Sequence, residues 1–421
     1  MPKHFRIVIG SASFLAIGAP LLVQPASATT TEPVTEAVDG PVTPAERGEI
    51  VVTAQRRSEN IQDVGMSLTA LDDTKIARMV VANATDLTAQ IPNLRFTSLG
   101  TSSVVVYNIR GVSQNDFLDH LEPPIAVYQD DAYLSTVTQA GVPVFDVQRA
   151  EVLRGPQGTL FGRNATGGLI HFISNQPTDT PDGYVDLTFA DDLWGKVEGA
   201  VGGPLGPTLS ARVAATISSR EGYGENASGG RKLGADHYVA GRMILAFRPV
   251  EDIQADLTLR YIKNFDGTGS PFHFSPTIPD ADGLGRFVRP TENPYNTCNG
   301  CGPAFYEGYL QKKPYKGSYS TAGHYEREVF GATIKLSKDF GALQLESITD
   351  YQHLTKDTYE DSDATPLPIA TNAHTQKLDH FTQELRLIGE TGRLKWTTGS
   401  YFFLQDTSTS TEYELFGGLR A

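Results

Sequence analysis

Long apolar runs, cysteine and basic charge are all scarce in this chain, and each scarcity excludes something. Beyond residue 23 there is no run of about 18 apolar residues, which excludes a helical membrane protein. Cys298 and Cys301 are the only cysteines in 421 residues, so disulfide bonds cannot be the main support of the fold. The net charge of −14 argues against nucleic acid as a partner, because phosphate binding needs clustered Lys and Arg.

The residue patterns of common catalytic and metal sites are missing as well. The nine histidines show no His-Glu-x-x-His or similar ligand spacing. No serine lies in a Gly-x-Ser-x-Gly elbow, so the sequence shows no nucleophile motif of a serine hydrolase. The sequence therefore predicts no enzyme, no catalytic residue, no metal site and no cofactor.

The first residues indicate export. A short basic region (3–6) precedes an apolar stretch (7–23), and Ala26-Ser27-Ala28 supplies the small residues of a cleavage site. We predict that residues 1–28 are a signal peptide that is cleaved after Ala28. A membrane anchor is the alternative, but the apolar part is short and is interrupted by glycine and proline.

Residues 29–59 are predicted to be a disordered linker with one β-prone run near its end. Residues 29–48 combine proline, glycine, acids and threonine and contain no aromatic residue. The β-prone run is either the first strand of the next domain or an extra strand that pairs with an exposed sheet edge on a partner. It consists of Glu49, Ile50, Val51, Val52, Thr53 and Ala54 and stands before the basic pair Arg56-Arg57.

Residues 60–177 read as a small α+β domain that ends in a glycine-rich run. Short strands alternate with two short helices, one capped by Asp72 or Asp73 and one by Thr85 or Asp86. Near the end, one apolar strand enters and another leaves a run with five glycines, and we expect a compact turn system there. A phosphate cradle is disfavoured, because the run lacks a Lys-Ser or Lys-Thr ending and no helical pattern follows it.

From residue 183 to 421 the pattern changes to strands with a period of two. In residues 253–262, Ile253, Leu257 and Tyr261 lie on one face and polar residues on the other. A soluble sandwich would alternate in the same way, but short connections here alternate with long ones. That arrangement is typical of an outer-membrane barrel, whose sheet must close because lipid cannot satisfy backbone groups.

The glycine-rich run and its surroundings resemble the plug domain of TonB-dependent outer-membrane receptors. The resemblance implies an α+β plug followed by an antiparallel transmembrane β-barrel, and it makes the run 49–54 the TonB box.

We count about nine barrel strands, whereas plugged transporters use about 22. We therefore expect a fragment or a truncated product. The residues matching the plug motif are Arg110, Gly111, Asp130, Glu151, Arg154, Gly155, Gly158, Gly162, Arg163, Asn164, Gly167 and Gly168.

Two residues depart from the family pattern. The usual Asp-Gly turn is Asp130-Asp131 here. We expect Asp131 to destabilise the turn relative to glycine, because Asp tolerates positive φ less readily. The glutamate that usually precedes Arg149 is Gln148, which puts one plug–barrel ion pair in doubt. We also expect Arg154 and Arg163 to hold the plug in the barrel through acidic partners on the barrel wall.

The resemblance implies uptake of a large, scarce solute across the outer membrane. The expected partners are a TonB-type inner-membrane energy-coupling protein, outer-membrane lipid and the solute. An iron chelate such as a ferric siderophore is the default solute, with cobalamin or an oligosaccharide as alternatives. A binding protein or non-transporting remnant is the other possibility.

The longest loop carries two further features. In an oxidising compartment, Cys298 and Cys301 are expected to form a small disulfide staple, with a redox pair or a soft-metal pair as alternatives. The loop, residues 265–323, is rich in Tyr and Phe. These rings either trap a ligand by stacking or pack only on one another.

Overall fold

The computed structural model describes residues 3–9, 51–271, 277–279, 285–287 and 315–417, apart from 58, 80, 82, 99–103, 115, 117 and 365. Of residues 3–9, 277–279 and 285–287 it describes only the backbone. The predictions for residues 10–50, which include Glu49 and Ile50, and for Cys298 and Cys301 lie outside these residues.

The first part of the fold contains a five-stranded mixed sheet. The elements up to residue 174 are β1 (Lys3–Ile9), β2 (Val51–Val52), β3 (Glu59–Asn60), a 3₁₀ helix (Ile61–Asp63), β4 (Leu68–Asp72), α1 (Asp73–Arg78), a 3₁₀ helix (Ala84–Ala89), β5 (Leu94–Ser98), β6 (Val105–Ile109), β7 (Ile125–Gln129), β8 (Ala132–Leu134), β9 (Val147–Arg154), α2 (Gly158–Phe161) and β10 (Gly168–Ser174). The strand order of the sheet is β4-β9-β10-β7-β8. Within it β10 and β7 run parallel and the other pairs are antiparallel.

Side-chain caps fix the starts of the two short helices. The Asp72 carboxylate accepts from the Lys75 N–H, which confirms the first predicted cap. The cap of the second 3₁₀ helix (Ala84–Ala89) is Asn83 rather than the predicted Thr85 or Asp86. Asp86 completes a capping box by accepting from the Asn83 N–H. The helix begins at Ala84, so Thr85 and Asp86 already lie within its first turn and cannot precede it as the cap.

The second part is a large antiparallel sheet with nine consecutive strands and β1 at one end. The sequence count of about nine strands is confirmed. The remaining elements are β11 (Asp182–Ala190), β12 (Trp194–Pro204), β13 (Leu209–Arg220), β14 (Glu225–Asn226), β15 (Asp236–Val250), β16 (Ile253–Gly267), β17 (Thr277–Pro279), β18 (Gly285–Phe287), β19 (Lys316–Gly317), β20 (His324–Asp339), β21 (Leu343–Asp361), β22 (Ala370–Thr391) and β23 (Leu394–Leu415); β14, β17, β18 and β19 lie outside this sheet.

The two faces of this sheet show the polarity of a barrel rather than of a sandwich. On β13, Val213 and Ile217 are exposed. The residues that precede them, Arg212 and Thr216, are buried. The apolar face thus points outward and the polar face inward, as a barrel in lipid requires. Four connections of two to four residues confirm the predicted short turns, at 205–208, 251–252, 340–342 and 392–393.

The inward face of the large sheet packs on the mixed-sheet domain. One apolar cluster contains Val144 and Phe145 of that domain together with Tyr184, Ala214 and Ile262 of the large sheet. The domain therefore sits within the curve of the sheet and shares a core with it. We call residues 60–177 the plug from here on.

The large sheet is an incomplete barrel in the described residues, with β1 and β23 at the two ends of its order. β1 pairs antiparallel with β11 from Lys3↔Phe189 to Ile9↔Gly183. These residues belong to the predicted signal peptide, and its cleavage stays a prediction. No helix among the described residues is long and apolar enough to cross a membrane.

Candidate functional site

The glycine-rich run forms a compact turn system between β9 and β10. The Gly155 N–H donates to the Gly167 carbonyl and the Gln157 N–H to the Ala165 carbonyl. Gly168 has φ +146°, and a Cβ there would lie 2.3 Å from the Leu153 carbonyl oxygen. Only glycine permits this approach of β10 to β9. Strand β10 follows directly, so the run does not open a phosphate-binding helix.

Among the described residues, Arg154 and Arg163 find their polar partners within the plug, which contradicts the prediction of acidic partners on the barrel wall. Arg163 pairs with Glu122 at 2.5 Å, and its guanidinium lies 4.3 Å from the centre of the Phe403 ring on β23. Arg154 donates to the Pro92 carbonyl at 3.4 Å. The side-chain amide of Asn164 donates to the Tyr133 hydroxyl at 2.6 Å. Arg163 thus meets the barrel through an aromatic ring and not through a charge.

Two further motif residues, Arg110 and Gly111, form the turn after β6. Both have positive φ, 53° and 84°. Arg110 donates to the Ser67 hydroxyl at 2.9 Å, and the Gly111 N–H donates to the Asn108 side chain at 3.0 Å. The pair therefore joins the β6 turn to the start of β4.

Residues 51–57, which we call the signal segment, are docked against the plug. Val52 and Ala54 are buried in a cluster with Leu153, Phe161 and Leu169. Among the described residues, β2 pairs with the adjacent β3 and with no other strand. The segment therefore buries Val52 and Ala54 in the plug, whereas Val51 is exposed.

Glu151 is the plug residue that receives the signal segment. Its fully buried carboxylate accepts from the Thr53 N–H at 2.8 Å and from the Thr53 hydroxyl at 3.2 Å. Arg149 pairs with the same carboxylate at 2.8 Å and balances its charge. The sequence placed Glu151 in the motif but gave no sign that it holds the predicted TonB box.

The two arginines of the signal segment reach in different directions. Arg56 lies over the Phe161 ring at 4.1 Å and pairs with Asp131 at 2.8 Å. Arg57 donates to the Gly389 carbonyl of β22 at 3.1 Å. The basic pair thus ties the segment both to the plug and to the barrel wall.

Asp146 anchors the opposite side of the plug. It is 3% exposed and pairs with Arg212 at 2.6 Å and with Arg242 at 3.2 Å, on β13 and β15. Sequence reasoning missed it, although a lone acid inside the apolar run Val144-Phe145-Asp146-Val147 is a usable sign of a buried, paired charge.

Polar contacts near the long-loop end join the plug to β20, β21 and β22. On β20, Arg327 donates to the Thr138 carbonyl at 2.6 Å. Asp119 pairs with Lys356 at 2.6 Å, and its carbonyl accepts from the Gln376 side chain at 3.0 Å. The Gln139 side chain donates to that of Gln352 at 2.7 Å. Together with Asp146, these contacts spread the anchoring of the plug over five barrel strands.

Two polar cavities separate the plug from the barrel wall. One of 490 Å³ lies beside the signal segment and is lined by Arg56, Asp131, His171, Lys335 and Arg386. The other, of 150 Å³, is lined by plug residues Asp119 and His120 and by wall residues such as His374. Within the described residues, no group of three or more His, Cys, Asp or Glu could hold a metal ion.

Buried plug residues beside the larger cavity stay uncharged near neutral pH. Burial lowers the pKa of His171, so its ring is neutral. Burial also raises the pKa of Tyr128 to about 12, and its hydroxyl donates to the Phe161 carbonyl at 2.8 Å. The charges of this region are therefore those of the arginines, Lys335 and the carboxylates.

An α+β domain seated on the polar inner face of an antiparallel barrel sheet defines a plugged barrel. A family model described as the TonB-dependent receptor plug domain matches residues 60–169. The pesticin receptor of Yersinia pestis is 32% identical over 174 residues, which are 41% of this chain and 24% of that protein. The vitamin B12 transporter of Vibrio vulnificus is 24% identical over 183 residues, 42% of this chain and 28% of the relative.

The crystal structure of the ferric yersiniabactin uptake receptor from Yersinia pestis shows the same fold. Its TM-score is 0.68 at 20% identity, covering 83% of this chain and 50% of that one. The first part of the chain is thus similar to the plug domain of TonB-dependent receptors, and the chain as a whole has the fold of the solved receptor. It spans about half the length of the solved receptor, and the curated matches cover about a quarter of each relative.

Proposed function

We propose that this chain is the plug and first barrel part of a receptor for energy-coupled uptake of a large, scarce solute across the outer membrane. The observation that carries the proposal is the docking of residues 51–57 between the plug and the barrel wall. A solute too large for an open pore has to pass the plug, so the plug must be moved. The signal segment joins the plug to the linker, so a force applied to it would be transmitted to the plug.

The proposed coupling is strand addition. A freed signal segment is extended and β-prone, and such a segment adds to an exposed sheet edge on a partner through main-chain hydrogen bonds. The partner we propose is a TonB-type protein of the inner membrane, which supplies the energy that the outer membrane lacks. Export by a signal peptide cleaved after Ala28 belongs to the same proposal.

A ferric siderophore is the first candidate solute. The yersiniabactin receptor and the vitamin B12 transporter bear names for different solutes, so the similarity alone leaves cobalamin as an alternative. The smaller cavity, with Asp119, His120 and His374 in its lining, lies where plug and wall meet near the long-loop end. Its lining offers a polar chelate both acidic and basic side chains as hydrogen-bonding partners.

The coupling role is tested by deleting residues 49–54 from the full-length receptor. Binding of the solute is expected to be unchanged, whereas uptake falls to the level of a strain without the coupling protein. Radiolabelled ferric chelates of catecholate and hydroxamate type, together with cobalamin, measure both quantities in the same cells. Deleting residues 36–41 of the linker is the matched control and should leave uptake intact. Undiminished uptake after the first deletion would refute the proposal.

A further inference from the structure

Asp131 is held in a backbone conformation that favours glycine. Asp130 and Asp131 form the two-residue turn between β7 and β8, with φ of 49° and 68°. Both positive values are those of a type I′ turn, in which glycine is preferred at the second position. A residue persists in this region when its surroundings fix it there. The contacts of the side chain therefore need to explain its presence.

The Asp131 carboxylate gathers cations from three separate parts of the chain. It pairs with Arg56 of the signal segment at 2.8 Å, with Lys335 of β20 at 2.9 Å and with Arg386 of β22 at 3.4 Å. Burial alone would raise the pKa of Asp131, but these cations outweigh burial and hold it well below its usual range. The group is therefore an anion at every physiological pH.

Arg56 depends on this carboxylate. Its side chain is 4% exposed, and its other contacts are the Leu160 carbonyl at 3.4 Å and the rings of Phe161 and Tyr128. The next carboxylate, Glu384, lies 3.9 Å away and already pairs with Arg386 at 2.5 Å. A buried cation that loses its anion is strongly destabilised, so Asp131 contributes much of what keeps Arg56 in place.

We propose that Asp131 is a positioning residue that latches the signal segment to the plug and to the barrel wall at once. Val52 and Ala54 can reach a partner's sheet edge only after Arg56 leaves the Asp131 carboxylate. A glycine in the turn would form the same backbone but supply no latch. The inference rests on the proposed function, since it concerns when the segment becomes available to a partner.

The latch is tested by the reactivity of a cysteine at position 52 in the full-length receptor, in outer membranes that contain no coupling protein. Val52 is 0% exposed, so V52C reacts with a maleimide only when the segment undocks. Cys298 and Cys301 are replaced by serine so that they do not react. Asp131→Asn removes the charge and keeps the shape, whereas Asp131→Gly removes the side chain and relaxes the turn.

Both substitutions at position 131 are expected to raise the rate of alkylation about tenfold, the effect of losing one charged hydrogen-bond partner. The control is Asp130→Asn in the same turn. The Asp130 carboxylate accepts from the N–H of Ser174 at 2.7 Å and from the Ser174 hydroxyl at 2.6 Å, and it contacts no described residue of the signal segment. The rate of this variant should stay within about twofold of the parent. Heat-modifiable migration in gels checks that each variant is folded. Asp131→Gly is expected to fold because glycine is the preferred residue at this position of the turn.

Three results would overturn the latch. Unchanged rates in both variants would show that the charge does not hold the segment. An increase in Asp131→Gly alone would assign the effect to the turn, and an equal increase in Asp130→Asn would make it non-specific. The assay involves neither solute nor coupling protein, so it can fail while the deletion of residues 49–54 still abolishes uptake, and the reverse.

Discussion

Backbone conformation decides which side chains the plug accepts at its turns. Gly168 leaves no room for a Cβ, whereas Asp131 and Asp146 hold positive φ because their carboxylates are fixed by cations. The sequence indicated the glycine-rich turn, since glycine punctuates a chain locally. It did not indicate the partners of Arg154, Arg163 or Asp131, because such pairs depend on which distant strands meet.

Gly168→Ala is expected to prevent assembly of the plug. The new Cβ would meet the Leu153 carbonyl at 2.3 Å in a left-handed conformation, which costs at least about 2 kcal/mol. Gly158→Ala is the matched control in the same run, because a Cβ there has no atom within 4 Å, and its effect should stay below about 1 kcal/mol. The amount of heat-modifiable receptor in outer membranes measures both, and equal amounts would contradict the argument.

At the scale of elements, alternation and connection length carried most of the information. The period of two, the short turns and the strand count all follow from local sequence, and the structure confirms them. Local sequence does not indicate which inward residues meet the plug. Arg212 and Thr216 both face inward on β13, and among the described residues Arg212 pairs with a plug carboxylate whereas Thr216 does not.

The two acids beside Arg212 allow a direct comparison of a buried and an exposed ion pair. Asp146→Asn leaves Arg212 and Arg242 without a buried anion and is expected to weaken plug docking by about 3–5 kcal/mol. Asp182, the other partner of Arg212, is 41% exposed, so Asp182→Asn should cost less than about 1 kcal/mol. Protection of the plug from added protease measures docking, and similar protection in the two variants would refute the ranking.

At the scale of the whole molecule, the plug lies inside the sheet and touches strands from β11 to β23. This placement was expected only through the resemblance, because neither composition nor periodicity says where one domain sits relative to another. The incompleteness of the barrel was expected because about nine strands fall short of the about 22 that plugged transporters use.

Tethering the plug to the wall should separate binding from transport. Cysteines at Gln139 and Gln352, whose side chains are 2.7 Å apart, should be linked by a short bis-maleimide. We expect the linked receptor to bind solute normally and to lose uptake. The single Gln139→Cys variant, treated with the same reagent, should keep its uptake. Normal uptake by the linked receptor would mean that this part of the plug stays still during passage.

The shared apolar cluster also bears on how the plug can move. On the β11–β16 side, plug and wall meet through Val144, Phe145 and the small inward residues of those strands, with a buried ion pair beside them. Beside the signal segment they meet across a cavity of 490 Å³ bounded by charged groups. Separating the apolar contact would expose hydrocarbon to water, whereas the charged groups at the cavity can exchange protein partners for water. A pull on Arg56 is therefore expected to part plug and wall first at the cavity, while the apolar contact stays closed.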